Sequence, residues 1–277
     1  MKFRLTLIIF TVLLSNLLVA QNTAEVIKRN DLKIGERVEI KSEILNENRI
    51  LNIYLPFGYS KDSIKKYPVI YLLDGSMDED FIHISGLVQF ASFSWINMIP
   101  ETIVVGISNV DRKRDFTFPT KVDSDKKDFP TTGKSDNFIR FIEKELQPFI
   151  DSNFHTNTVK TIIGQSLGGL LATEILVKKP YLFNNYIIVS PSLWWDKESL
   201  LAVKPEVYQS KKSIYIAVGN EGEVMERTAK ELFDKLNNDK MNNTELLYHY
   251  FGEQNHGDAL HLAVYDAFEK MNKAGEQ

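Results

Sequence analysis

The sequence predicts an α/β protein with one mostly parallel sheet of about eight strands, helices on both faces and an antiparallel hairpin at its N-terminal side. Three observations carry this. Tyr67–Leu73, Thr102–Ile107 and Tyr186–Val189 are short, continuous apolar runs, the pattern of strands buried on both faces. Segments that read as helices alternate with them, which is how parallel strands are joined. Only near the N-terminus does the pattern change to period two, as a half-buried hairpin requires. With 277 residues, 43% of them hydrophobic and 25% charged, the chain can bury such a core.

Arg37–Ile44 and Ile50–Leu55 alternate across Asn46-Glu47-Asn48, which suits a hairpin turn. Tyr67–Leu73 ends at Asp74-Gly75-Ser76, and Glu79–Met98 reads as a helix closed by Pro100 before the strand Thr102–Ile107. Asn109–Ser135 is long, charged and without a clear period, which marks a functional or mobile loop. Ser135 suits an N-cap, and Phe138, Ile142, Leu146 and Phe149 recur at helical spacing to about Ile150, with Pro148 bending or shortening the end. Val159–Ile163 is the next strand, Leu167–Lys179 a helix stopped by Pro180, and Tyr186–Val189 a strand followed by the loop Ser190–Asp196. Ser213–Val218, the amphipathic Val224–Leu236, Thr244–Phe251 and a closing helix over Asp258–Met271 complete the alternation. There is no second core and no linker, so residues 21–277 read as a single domain.

Residues 1–20 are set apart. Lys2 and Arg4 precede an apolar run from Leu5 to Ala20, and Gln21-Asn22-Thr23 is polar, as in a secretory signal peptide cleaved after Ala20. Leu18, at the minus-three position, is larger than usual there, and the alternative is an uncleaved anchor. Cleavage predicts a periplasmic or secreted protein without stable membrane association. The absence of cysteine excludes a lipid-anchored cysteine, disulfides, thiolate chemistry and Cys-ligated metal. A formal charge of −4 gives no basic signature for nucleic acid.

The chemistry concentrates at Gly164-Gln165-Ser166-Leu167-Gly168. Strand, Gly-x-Ser-x-Gly and helix is the nucleophile elbow of the α/β-hydrolase fold, with a serine at the apex of a strained turn. In open α/β sheets ligands bind beyond the carboxyl ends of the strands. Ser166, Asp74, Ser76, Trp194, Glu221 and His256 all follow strands, whereas His155 precedes one. Serine needs a base. His249 lies inside a strand, His83 is poorly placed, His261 is a turn into the last helix, and His256 follows the final strand, where this fold carries its base. The acid belongs to the preceding loop. Glu221 is nearer the strand end and is preferred to Glu223, whose carboxylate could be satisfied by the next helix N-terminus. A serine–histidine pair without an acid is a further possibility. The oxyanion hole is expected at the Leu167 amide and at Gly75 or Ser76, with Ser76 the choice. Trp194 and Trp195 could stack against a substrate, or pack beneath their helices. Arg112 and Arg114 could clamp an anionic group, with a structural pair of Arg114 with Asp115 or another carboxylate as the favoured alternative. No His/Asp cluster has metal spacing and no Gly-rich loop suits phosphate, so no metal or cofactor is expected.

Tyr71-Leu-Leu-Asp74-Gly75, Arg114-Asp115-Phe116-Thr117, Gly164–Gly169, Ser190-Pro-Ser-Leu-Trp-Trp195 and His256-Gly257 together resemble the putative esterase family of α/β-hydrolases, over roughly Arg37 to Lys270. That family includes S-formylglutathione hydrolases, feruloyl esterases, the antigen 85 mycolyltransferases and enterochelin esterases. The Ser-Pro-Ser-Leu-Trp-Trp stretch and the leading hairpin look most like the siderophore-esterase branch. The resemblance implies Ser166 as nucleophile, His256 as base, a variable acid and no cofactor. The expected function is hydrolysis of a small carboxylic ester through an acyl-enzyme, with a siderophore-type ester first. The alternatives are an acetyl or feruloyl carbohydrate ester, acyl transfer, and a non-catalytic binding protein on the same scaffold.

Overall fold

Alternation inside the apolar runs decides which helix lies on which face of the sheet. In β3 (Tyr67–Leu72), Val69 and Tyr71 face one core cluster while Ile70 and Leu72 face the other. The computed structural model describes residues 24–239 and 241–273. The signal-peptide reading of 1–20 falls outside them. Residues 24–33 carry neither helix nor strand, and the unit built on the sheet begins at Ile34.

The remaining strands are β1 (Gly35–Ser42), β2 (Glu47–Tyr54), β4 (Ile103–Ile107), β5 (Thr156–Gln165), β6 (Asn185–Val189), β7 (Lys212–Gly219) and β8 (Thr244–Phe251). They form one eight-stranded sheet in the order β1-β2-β4-β3-β5-β6-β7-β8. β1 pairs with β2, and β2 with β4, antiparallel; every other pair is parallel. The expected mostly parallel α/β-hydrolase sheet with its N-terminal antiparallel hairpin is therefore present.

The helices are α1 (Phe81–Ala91), the short α2 (Arg112–Phe116) and α3 (Asp123–Asp128), α4 (residues 135–153), α5 (Leu167–Lys178), α6 (Glu223–Asp239) and α7 (Ala259–Lys273). Apolar residues of α4, α5 and α6, such as Phe138, Ile142, Leu171, Ile175 and Leu232, cover one face. Phe81, Ile84 and Val88 of α1, with Leu260, Ala263 and Val264 of α7, cover the other. At 25–30 cal/mol per Å² of buried apolar surface, each large side chain in these layers stabilises the fold by about 2 kcal/mol.

Several boundaries differ from expectation for local reasons. α1 stops at Ala91 rather than Met98, because Ser92 folds back onto Gln89 O (2.9 Å) and Asn97 takes a left-handed φ of 52°. Ser135 does not cap α4: it is the first helical residue, and its buried Oγ has no hydrogen-bond partner among the described residues. Pro148 does not end α4, which runs on to Asn153. A π-helical turn over Ile142–Leu146 precedes the proline and relieves the clash its ring makes with a preceding carbonyl. The long segment after β4 is ordered. Asp111 caps α2 by accepting from Arg114 N (3.0 Å), and α3 follows.

Candidate active site

β5 delivers Ser166 from the interior of the sheet. Ser166 has φ 60° and ψ −122°, a conformation costly for a side chain with a Cβ and held here by its neighbours. Its N–H donates to Val189 O (3.1 Å), and its carbonyl accepts from Leu170 N (2.9 Å) and Ser192 N (3.0 Å). The turn closes only without a side chain at Gly164, where a Cβ would lie 2.4 Å from Gly168 O. Ser166 Oγ is 3.3 Å from Ser192 Oγ. Leu167 is the first residue of α5, and the N–H groups of a first helical turn have no intrahelical acceptor.

Two neighbouring loops converge on this turn. Glu221, after β7, accepts from His256 Nδ1 at 2.5 Å, from Gly219 N at 3.0 Å and from Ser190 Oγ. Gly219 makes this possible, since a Cβ there would meet Gln254 O at 2.6 Å and Glu221 Oε1 at 3.0 Å. The Glu221 side chain is 2% exposed and that of His256 48%. Burial alone pushes the Glu221 carboxyl up. Hydrogen bonds from His256, Ser190 and the Gly219 N–H together outweigh it, so the pKa lies below the usual glutamate value. The loop after β8 is tied to the elbow itself: Gln165 Nε2 donates to His256 O at 2.6 Å, and Asn220 N donates to Gln254 O at 2.6 Å. Ser166, Glu221 and His256 therefore belong to one hydrogen-bonded neighbourhood. His256 turns Nδ1 inward and keeps Nε2 for a second partner. Of the two candidate acids, Glu221 reaches the histidine, and Glu223 is an exposed first residue of α6.

On the other side of the elbow, Asp74 has a left-handed φ of 53° and turns the chain after β3. Its carboxylate is gripped by Arg112 through Nε (2.6 Å) and Nη2 (3.0 Å), and by Asn109 Nδ2 (2.7 Å). Arg112 Nη2 also reaches Gln165 O at 3.3 Å. Gly75 N donates to Ile107 O (3.1 Å), whereas Ser76 N donates to Glu79 Oε2 (3.2 Å).

Two expected substrate contacts are corrected. Arg114 is not a free clamp. Its Nε and Nη2 bind Asp115 (2.7 and 3.1 Å), and its Nη1 and Nη2 bind Glu47 (2.8 and 2.6 Å), in a network shared with the buried Arg49. This is the structural pairing held as the alternative. Trp195 lies in the core, fully buried, with Nε1 donating to Phe118 O (2.9 Å). Trp194 remains part-exposed at the rim, with its ring 6.0 Å from that of Phe129. The residues after it, Asp196, Lys197 and Glu198, all have left-handed φ of 50–63°, a tight turn that leads into a single 3-10 turn over Ser199–Ala202.

The other histidines have their own partners. His155 reaches Lys61 O (2.8 Å) at the opposite rim, His249 binds Asp266 (2.8 Å), and His83 stacks on His261 with ring centres 3.6 Å apart. Among the described residues no group of His, Asp or Glu could hold a metal ion, and no helix is long and apolar enough to cross a membrane. Sequence reasoning gave no role to Gln165, Ser190 and Ser192. All three sit at strand ends beside the elbow, and that position was the available signal.

The profile of the family described as "Putative esterase" matches residues 42–261. Ferri-bacillibactin esterase BesA of Bacillus subtilis is 32% identical over 213 residues, which cover 69% of this chain and 74% of that protein. Among solved structures, an IroE-like serine hydrolase from Shewanella oneidensis superposes with a TM-score of 0.75 at 30% identity, covering 86% of this chain and 80% of that one. The BES protein from Bacillus cereus also gives 0.75, at 26% identity, over 90% of this chain and 98% of its own. The matched span includes the elbow, both flanking loops and His256, and the chain belongs to the Putative esterase family, which makes ester hydrolysis its class of activity.

Proposed function

We propose that this chain is an exported serine esterase that cleaves a siderophore-type ester. The observation that carries the catalytic part is the buried Glu221 carboxylate on His256 Nδ1 (2.5 Å), joined to the Ser166 turn through Gln165 and Ser190. In the proposed reaction Ser166 Oγ attacks the ester carbonyl while His256 Nε2 takes its proton, and Glu221 holds the imidazolium in place. The negative charge that develops on the carbonyl oxygen is received by the amides of Leu167 and Ser76. His256 then returns the proton to the departing alkoxide, leaving an acyl-enzyme. Water, deprotonated by His256, attacks the acyl carbon and restores Ser166. Every step uses side chains and amides of this chain.

The substrate part rests on the relatives, since the Bacillus subtilis protein is named a ferri-bacillibactin esterase. A carbohydrate ester is the second reading, favoured by the part-exposed Trp194, a ring of the kind that stacks on sugars. Lys2, Arg4 and the apolar run to Ala20 support export. Residues 21–277 would then be the mature single-domain enzyme.

The test is purified protein against a ferric catecholate trilactone and acetylated xylan, with Ser166→Ala alongside and fluorophosphonate labelling mapped to peptides. Label on Ser166 and trilactone cleavage that Ser166→Ala abolishes would bear the proposal out. Turnover unchanged in Ser166→Ala would end it. Mass spectrometry of the exported protein reads the cleavage site.

A further inference from the structure

The turn that follows β3 has two amides near the elbow, and they are not equivalent. Gly75 N–H is committed to Ile107 O (3.1 Å), a bond that anchors the turn to β4. Ser76 N–H is therefore the amide left to receive an oxyanion, and it is already occupied by a carboxylate: Glu79 Oε2 accepts from it at 3.2 Å. Glu79 N–H in turn donates to Ser76 O at 3.1 Å. We propose that Glu79 is a displaceable stopper of the oxyanion hole, whose carboxylate must leave Ser76 N–H before the tetrahedral intermediate can use it. This rests on the reading of Ser166 as nucleophile and Ser76 as oxyanion donor.

One N–H cannot serve two anionic oxygens at full strength, and two anions at one donor repel. The hold on Glu79 is also weak enough to break. The bond is at the long end of the hydrogen-bond range, and the side chain is exposed, so water can take over its solvation. The same carboxylate has a second donor in this position, which can retain it once the Ser76 bond breaks. Asn109 Nδ2, after β4, lies 3.1 and 3.3 Å from the two Glu79 oxygens while bonding Asp74 Oδ1 at 2.7 Å. The surroundings add to the repulsion. Asp80, beside Glu79, has its carboxyl pushed up to about 6, mainly by burial and then by the charges of Asp74 and Glu79. A further negative charge at this turn is thus poorly tolerated while Glu79 stays in place.

The competing account is that Ser76-x-x-Glu79 is only a capping box, in which the glutamate holds the turn and does nothing else. Glu79→Gln separates the two. It keeps the length and the acceptor, so a cap survives, but removes the charge. The readouts are inhibition by an alkylboronic acid, which forms a tetrahedral anion on a serine, and kcat and KM for a p-nitrophenyl ester. As a stopper, Glu79→Gln should tighten boronate inhibition about tenfold and raise kcat by a similar factor, with KM moved less than about twofold. Asp78→Asn, which removes a neighbouring exposed charge, is expected to change neither by more than about twofold.

Equal boronate inhibition in wild type and Glu79→Gln would overturn the proposal and leave the capping box. An equal gain in Asp78→Asn would overturn it in favour of general surface charge. A wild-type protein that fluorophosphonate does not label at Ser166 would remove the underlying catalytic reading, and the stopper with it. Label on Ser166 with unchanged boronate inhibition in Glu79→Gln removes the stopper alone.

Discussion

Two buried carboxylates, Asp115 and Glu221, are each gripped by several donors, and they differ in what remains free around them. Asp115 sits between Arg49 and Arg114, and both guanidiniums also reach Glu47. Guanidiniums stay charged at every working pH, and Arg49 is packed against Phe138 with its guanidinium 5.1 Å from the ring centre. That network fastens α2 to the hairpin and is closed. Glu221 is as deeply buried, yet its main partner is a histidine with an exposed ring and an outer nitrogen available. A closed network of permanent charges positions a loop. A buried acid holding a half-exposed imidazole can take part in proton transfer. Burial alone does not tell these arrangements apart; the chemistry of the partner does.

The largest expected effect tests the open arrangement. Ser166→Ala should lower kcat for an activated ester by ~10⁴-fold or more with little change in stability, measured by stopped-assay kinetics and a thermal melt. Asp115→Ala should do the reverse. Removing the acid shared by both guanidiniums leaves the buried Arg49 with Glu47 as its remaining carboxylate, which costs about 3 kcal/mol by urea titration, while kcat per folded molecule is retained. If kcat fell in parallel with stability, the separation of the two regions would fail.

Glu221→Gln comes next, with kcat lowered by ~10²-fold or more, because a neutral amide neither stabilises the imidazolium nor enforces its tautomer. Its carboxyl lies below the usual value in the fold, so the unfolded chain binds the proton first as pH falls. Wild-type stability from this group is present above the unfolded pKa and lost on acidification, and Glu221→Gln should flatten that slope.

The smallest effect concerns a carboxylate without a strong cation. Asp80 holds its proton to about 6 in the fold and to the usual aspartate value of 3.8 when unfolded. The folded state binds more protons between those values, so stability falls as pH rises through that window. Asp80→Asn should remove that slope and gain about 1 kcal/mol at about pH 7, read by urea titrations on both sides of the window. Its nearest imidazole, His261 Nε2 at 3.5 Å, belongs to a histidine whose own pKa is lowered, first by burial and then by His83.

What the sequence made legible follows from the range of the interactions. Alternation and β-branched runs are local, so the strands and most helices could be read directly. The bounds Thr244–Phe251 agree to the residue, and the helix that starts at Leu167 ends at Lys178, one residue before the expected Lys179. The rim rule placed Ser166, Glu221 and His256 at the ends of three strands, and these strands prove to be near neighbours or neighbours in the sheet. The closed network was not legible. Arg49 lies in a short alternating strand where a charge reads as outward, and its buried partner Asp115 is 66 residues away. Pairing at that range leaves no periodic trace, which is why Arg114 read as a possible clamp. Trp194 and Trp195 could not be ranked for a similar reason. Their loop has no period, and the left-handed turn after them sends one ring inward. The Glu79–Ser76 contact had a local signature in Ser-x-x-Glu, but that spacing signals a helix start far more often than an occupied amide.

The order of strands gives the molecule an uneven resistance to heat. Ser166 hangs from β5, which is flanked by β3 and β6, whereas the loop bearing His256 follows β8 at the edge of the sheet. Every residue of β7 is buried, and none of β8 is. Edge elements open locally before the whole structure does. On warming, the loop that carries His256 should therefore part from the Ser166 turn, to which Gln165 ties it, while the central strands are still paired. Turnover would then fade several degrees below the loss of the circular-dichroism signal, and cooling would restore it as long as the interior had not opened.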